Sequence, residues 1–468
     1  MKTAFNENLK REIDLPAATI LVIANMVGTG VFTTSGFIIG ELGSPLALFL
    51  AWLVGGLFAL SGALCYGELG AMLPHAGGEY VYLRRSFGPL AGFVSGWISL
   101  VVGFSAPIAA AAIAFSTYFL GGSATPLFVL ELRGITVVSV SGISLLAIAA
   151  VILLSFVHFH SLKLGKGIQN LLTAFKITFI IALIVTGFAF GNGNPSFLKE
   201  ATRSGFEGVE WSTFAVTLIF VSFAYSGWNA AAYIGGEIRN PDQNLPRSLL
   251  IGTVIVSVLY LLLNLLYLYA LPVETMSGML EVGLSAATSL FGPNVGRLVG
   301  LAISLGLLSV ISAMIMVGPR VYYAMARDSL FFKVFGKVDR IHHTPAHSVL
   351  FQALLAIVMI LTTTFEILLI YMGITLSVSA MLTVAGMMYL RKKEPELVRP
   401  YKTFGYPFTP LLFIAGNFWI IVFTLTSRPL AGFSGLATIV FGTLLYLIFL
   451  KTRPADATES AQGTFTIN

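Results

Sequence analysis

Charged residues, prolines and glycines divide this chain into twelve apolar stretches, at 15–40, 44–72, 88–120, 136–158, 167–190, 211–236, 247–271, 297–326, 348–364, 366–390, 407–427 and 432–450. Each is long enough to cross a bilayer as a helix, for which roughly 20 apolar residues suffice. Two stretches are interrupted at their centres. In the first, Ala24–Asn25–Met26–Val27–Gly28–Thr29–Gly30–Val31–Phe32 puts two glycines around a threonine. In the sixth, Phe223–Ala224–Tyr225–Ser226–Gly227–Trp228–Asn229 puts small and polar residues at the same depth. Glycine costs a helix about 1 kcal/mol relative to alanine, so the pattern predicts breaks in helices one and six. Backbone freed inside hydrocarbon is tolerated only beside protein, water or a bound solute, which makes both breaks candidate binding elements. One break alone reads as a packing face; a pair at matching depth reads as a transport site. Equivalent helices five spans apart must run in opposite directions. That predicts an all-α integral membrane protein of twelve transmembrane helices, a five-plus-five inverted repeat with broken helices 1 and 6.

Composition agrees with this class. The 468 residues are 56% hydrophobic and 10% charged, and the mean hydropathy is +0.88, more apolar than a soluble core of this size requires. Of the 27 Lys and Arg, 21 fall at the ends and loops on the side of both termini, five on the other side, and Lys176 lies within a span. The excess sets both termini in the cytoplasm. It also explains the basic balance without nucleic acid. The expected division is a cytoplasmic tail at 1–14, a first repeat at 15–190, a second at 211–390, two appended helices at 407–450 and a disordered cytoplasmic tail at 451–468. Residues 1–14 are polar and no cleavable leader is expected. The single cysteine, Cys65, lies in an apolar stretch, so no disulfide-linked partner subunit is evident.

Lys176 stands mid-way along the fifth span, too deep for a comfortable interface anchor, and an ionisable group there is a functional candidate. Glu68, Glu79 and Glu237 lie near span ends and are expected to cap helices or pair with loop arginines. His158, His160, His342, His343 and His347 lie at expected cytoplasmic ends without metal-ligand spacing, so no metal site is expected. No phosphate-binding glycine loop with a following Lys-Ser or Lys-Thr occurs, which argues against ATP-driven transport. The energy source is then a gradient or exchange, and no cofactor is expected.

These residues resemble amino-acid permeases of the amino acid–polyamine–organocation superfamily, nearest the L-type neutral amino-acid transporter branch. Gly28–Thr29–Gly30–Val31–Phe32 is similar to that family's first-helix Gly-Ser-Gly-Ile-Phe, and Phe223 to Asn229 to its sixth-helix Phe-Ala-Tyr-x-Gly-Trp-Asn. Glu237–Ile238–Arg239–Asn240–Pro241, Asn244–Leu245–Pro246, Pro319–Arg320, Ala326–Arg327–Asp328 and Arg399–Pro400–Tyr401 match further family motifs. Ala24–Asn25 departs from the Gly-Thr often found before the first signature. The resemblance implies a LeuT-type fold, alternating access, and a site between helices one, three, six, eight and ten in the cell membrane. N–H groups at Thr29, Gly30 and Val31, beside Gly28, suit a carboxylate, and carbonyls at Met26, Phe223 and Ser226, beside Gly227, suit an ammonium. The family places a gating aromatic at the position of Phe223 and a polar partner at that of Asn229. It also places a fifth-helix lysine where sodium-coupled relatives hold an ion, so Lys176 is expected to bridge the first break and Ser309 or Ser312. No acidic residue lies centrally in spans one or six, which favours neutral amino acids over cationic ones. A polyamine or amine permease of the same fold, and a membrane-embedded amino-acid sensor, remain alternatives. An enzyme is not expected.

Overall fold

A computed structural model describes residues 11–75, 77–122, 125–132, 135–160, 162–197, 199, 205, 209–328, 330–337 and 345–451. The first ten residues and 452–468 of the expected tails, together with His342 and His343, lie outside them.

The first apolar stretch folds as α1 (Leu15–Met26) and α2 (Gly30–Leu42), bent 41° at the break. Asp14 caps α1 through the Ala17 N–H, with Pro16 in the first turn, where its missing N–H costs nothing. Then come α3 (Pro45–Met72), the amphipathic α4 (Glu79–Phe87), and α5 (Pro89–Ile98), which runs through a π-helical stretch (Ser99–Ser105) into α6 (Ala106–Leu120). After a hairpin, β1 (Pro126–Leu132) and β2 (Ile135–Ser141), follow α7 (Gly142–His160) and α8 (Leu162–Phe190). The sixth stretch is α9 (Trp211–Tyr225) and a single helical turn, α10 (Ala230–Tyr233). The rest is α11 (Pro241–Ala270), α12 (Val282–Phe291), α13 (Pro293–Val317), α14 (Pro319–Arg327), α15 (Ala346–Thr362), α16 (Phe365–Lys393), α17 (Phe408–Ser427) and α18 (Pro429–Lys451).

The protein is an all-α integral membrane architecture with one hairpin inserted. Among the described residues eight helices are long and apolar enough to cross a membrane, nine when the bent pair counts as one span. The other three expected stretches appear as shorter apolar helices, Trp211–Tyr225, Ala346–Thr362 and Gly432–Ile448.

The hairpin corrects the expected start of the fourth span at 136. β2 occupies 135–141, pairing antiparallel with β1 from Leu132 opposite Ile135 to Pro126 opposite Ser141. Ile135, Thr136, Val137, Val138 and Val140 are β-branched and pack well in a pleat, while in an apolar count they are indistinguishable from membrane helix.

The second span supplies the floor for the breaks. A Cβ at Gly56 would lie 2.9 Å from the Tyr225 hydroxyl, one at Gly62 2.7 Å from Phe413 and Trp228, and one at Gly67 3.1 Å from Pro246. These small residues let the neighbouring spans approach closely.

Candidate functional site

The two breaks are built against each other. A Cβ on Gly30, the first residue of α2, would lie 2.5 Å from the Cβ of Ala224 in α9. On the other side Gly227 sits at φ 93°, where L side chains are strained, and a Cβ there would lie 2.8 Å from the backbone carbonyl of Asn25 in α1. Each glycine is required because the other span's backbone occupies the space of a side chain.

The carbonyls freed at the first break are met by side chains. Lys176 Nζ, buried, donates to the Ala24 carbonyl at 2.9 Å and to that of Val27. The Tyr260 hydroxyl of α11 lies 2.6 Å from the Met26 carbonyl and 2.9 Å from that of Ala224, so one phenol pins both spans where they cross. The N–H side is different. Gly30 and Val31 open α2 with no intrahelical acceptor behind them, and Thr29 makes no side-chain cap. Met26, Thr29 and Val31 are buried, and the nearest atom to a Cβ at Gly28 would be a Val310 methyl at 3.6 Å.

The expected bridge from Lys176 to Ser309 or Ser312 is not formed. Ser309 donates to the Gly306 carbonyl of its own helix at 2.8 Å, and Ser312 pairs with His158 Nε2 at 2.8 Å. A helical serine meets a carbonyl one turn back at little conformational cost, and the first break already takes the ammonium. Lys176 does approach the eighth span: a Cβ at Gly306 would lie 3.5 Å from its Cγ. His158, expected at an interface, is buried.

Beside the second break lies a cavity of about 110 Å³, room for several waters or a small solute. Of the expected residues Phe223, Ser226, Gly227 and Asn229 line it, and from the first span Asn25 does so. Met26, Gly28, Thr29, Gly30 and Val31 form the adjoining break and do not line it. Phe104 of the π-helical stretch, Trp228, Tyr233 and Asn417 of α17 are among the other aromatic and polar residues of its wall. The Phe223 carbonyl accepts from Ser226 N–H at 2.9 Å, and the Gly227 carbonyl from Ala230 N–H at 3.0 Å, so this break closes on itself as a turn.

Glu79, expected to cap a helix or pair with a loop arginine, stands in the first turn of α4, but its carboxyl pairs with no arginine among the described residues. It is buried at the cavity wall, where Oε1 accepts from Tyr66 at 2.7 Å and Asn229 at 2.9 Å and Oε2 from Ser379 at 2.6 Å. Glu68 follows the expectation: it takes both Arg391 nitrogens, at 2.8 and 2.5 Å, and the Thr403 N–H. At the same end Asp328 binds Arg84 and the Tyr80 hydroxyl, and Ile13 and Arg239 tie the segment before α1 to that after α10. Among the described residues no three His, Cys, Asp or Glu gather as metal ligands.

Comparison with known proteins agrees with this construction. The large neutral amino acids transporter small subunit 2 of Mus musculus is 29% identical over 443 residues, covering 94% of this chain and 81% of the relative. The b(0,+)-type amino acid transporter 1 of the same species is 28% identical, covering 95% and 88%. The serine/threonine exchanger SteT of Bacillus subtilis is 31% identical over 439 residues, covering 91% of this chain and 94% of its own. The amino acid permease family model matches residues 13–450, and the chain belongs to that family.

Proposed function

We propose that this permease moves neutral amino acids by alternating access, by exchange or proton coupling and without sodium, across the plasma membrane. The observation that carries the proposal is the reciprocal packing of two broken spans next to a polar-walled cavity. The α-carboxylate docks on the N–H groups of Thr29, Gly30 and Val31 at the positive end of α2. The ammonium takes the Ser226 carbonyl and the second lone pairs of the Met26 and Phe223 carbonyls, each of which already accepts one hydrogen bond. The side chain enters the cavity between Phe223 and Asn229, and Phe223 closes the site against water.

Sodium independence is supported by Lys176, whose ammonium already occupies the Ala24 and Val27 carbonyls that would otherwise suit a cation. In this reading residues 15–190 and 211–390 are the inverted repeats of twelve spans, and the excess of basic residues on one side supports cytoplasmic termini. One relative is named a small subunit, whereas the one cysteine of this chain, Cys65, is buried in α3 and leaves no thiol for a disulfide-linked partner.

The test is counterflow in proteoliposomes with L-alanine, L-leucine, L-serine and L-arginine and their decarboxylated amines, in sodium and in choline buffer. Uptake of zwitterionic neutral amino acids, equal in both buffers and not inhibited by the amines, is expected. Preference for the amines would establish the amine-permease alternative, and saturable binding without counterflow the sensor.

A further inference from the structure

Glu79 is an acidic group without a basic partner in its hydrogen-bond set. Its partners there are three neutral donors from three separate elements: Tyr66 of α3, Asn229 of the second break and Ser379 of α16. The ionisable groups that face it are tyrosines, Tyr66 on α3, Tyr82 on its own helix and Tyr233 on α10. The charged residues at this end of the bundle pair with one another, Glu68 with Arg391 and Arg399, Arg85 with Glu394 and Arg84 with Asp328. A carboxyl buried among neutral donors is costly to keep ionised.

We propose that the Glu79 carboxyl is a proton-binding site whose occupancy is tied to the position of the second break; the proposal rests on the transport function above. In the present geometry Oε1 meets Tyr66 and the Asn229 amide and Oε2 meets the Ser379 hydroxyl, a set that a carboxylate accepts from on all three sides and in which a protonated carboxyl can instead donate to Ser379. Asn229 opens α10, so any movement of that segment during alternating access withdraws its amide from Oε1. The carboxylate then keeps Tyr66 and Ser379 alone. Losing one charge-assisted hydrogen bond shifts proton affinity by about tenfold or more. The proton comes from water in the cavity and returns to it when Asn229 comes back; no other bond changes. By reciprocity, acid favours the displaced break and alkali the one seen here. Lys176, held on two backbone carbonyls of the first break, is a fixed strut in this scheme.

The test has two arms. Infrared difference spectra of the full chain in lipid nanodiscs, between mildly alkaline and mildly acidic buffer, are expected to show a protonated-carboxyl band. The band should vanish in Glu79→Gln and shift in Glu79→Asp, and its midpoint should move to higher pH by about a unit in Asn229→Ala, which removes the donor. Counterflow of L-alanine is expected to change several-fold with pH in the wild type and to be flat in Glu79→Gln. His75, in the turn before Glu79, is held below the usual imidazole value by partial burial and by Arg11, and it is unaltered in both variants. A wild-type protein without a Glu79-dependent band, a band indifferent to Asn229→Ala, or the same pH profile in Glu79→Gln overturns the proposal. Failure of every amino acid to move in the wild type would overturn the transport function instead, and the infrared arm still decides the proton site.

Discussion

The two breaks do the same thing to the backbone and end up in different surroundings. At the first, protein side chains occupy the freed carbonyls: Lys176 those of Ala24 and Val27, Tyr260 that of Met26. At the second, the backbone satisfies itself in a tight turn around Gly227, and its outer surface faces a cavity. The first break is braced by Lys176 and Tyr260 from two other spans; the second shares Tyr260 through the Ala224 carbonyl and is tied further by the Tyr225 hydroxyl to the Trp52 carbonyl, by the Gly227 contact and by the Asn229–Glu79 bond. The difference teaches that symmetry in sequence need not mean equal roles. The first break suits a fixed cradle for the carboxylate of the amino-acid head, and the second, which faces the cavity, suits the variable side chain and the moving part.

The largest expected effect breaks the bracing itself. Lys176→Ala leaves the Ala24 and Val27 carbonyls unpaired in a buried place, at a cost of roughly 2–5 kcal/mol. It should insert, melt at lower temperature and lose nearly all counterflow; a variant with wild-type melting and transport would show that the lysine braces nothing.

Next comes the glycine contact. Gly30→Ala places a methyl 2.5 Å from the Ala224 Cβ and should cost about 1–3 kcal/mol and most of the transport. Gly28→Ala, whose methyl would meet Val310 at an ordinary 3.6 Å, should stay within about 1 kcal/mol of wild type. Thermal unfolding of the pair reads the difference, and an equal response of the two would mean that the spans do not cross as described. Tyr260→Phe sharpens the same comparison more gently. It removes the hydroxyl shared by the Met26 and Ala224 carbonyls and should cost about 1 kcal/mol. Because that hydroxyl serves both spans, its loss and the loss of Lys176 should combine non-additively, which a double-mutant cycle in thermal unfolding measures.

The breaks were legible because glycine and small polar residues inside an apolar run contradict local helix preference, and nothing but a break resolves the contradiction. Lys176 was legible for the same reason, as the charge that the span could not otherwise tolerate. Glu79 was not, since it sits 150 residues from Asn229 and near the end of a span, where acids ordinarily cap helices. Tyr260 gave no signal at all: an aromatic in an apolar span fits any packed position, and only the three-dimensional crossing gives its hydroxyl two carbonyls. The hairpin at 126–141 was lost because β-branched residues satisfy a hydropathy count as well as leucine does. The serines on the eighth span misled in the opposite way, since a hydroxyl in a helix looks available in sequence while its own backbone, for Ser309, or a histidine of another helix, for Ser312, already employs it.

The most direct test replaces Ser226 with cysteine in a Cys65→Ser background and follows its alkylation by a small thiol reagent in proteoliposomes. If the carboxylate rests on the first break, the ammonium between the two breaks and the side chain in the cavity at the second, Ser226→Cys is labelled readily. It should be protected by transported amino acids and not by their decarboxylated amines. Labelling that amino acids leave unchanged at concentrations sufficient for counterflow, or that the amines slow equally well, would contradict that placement.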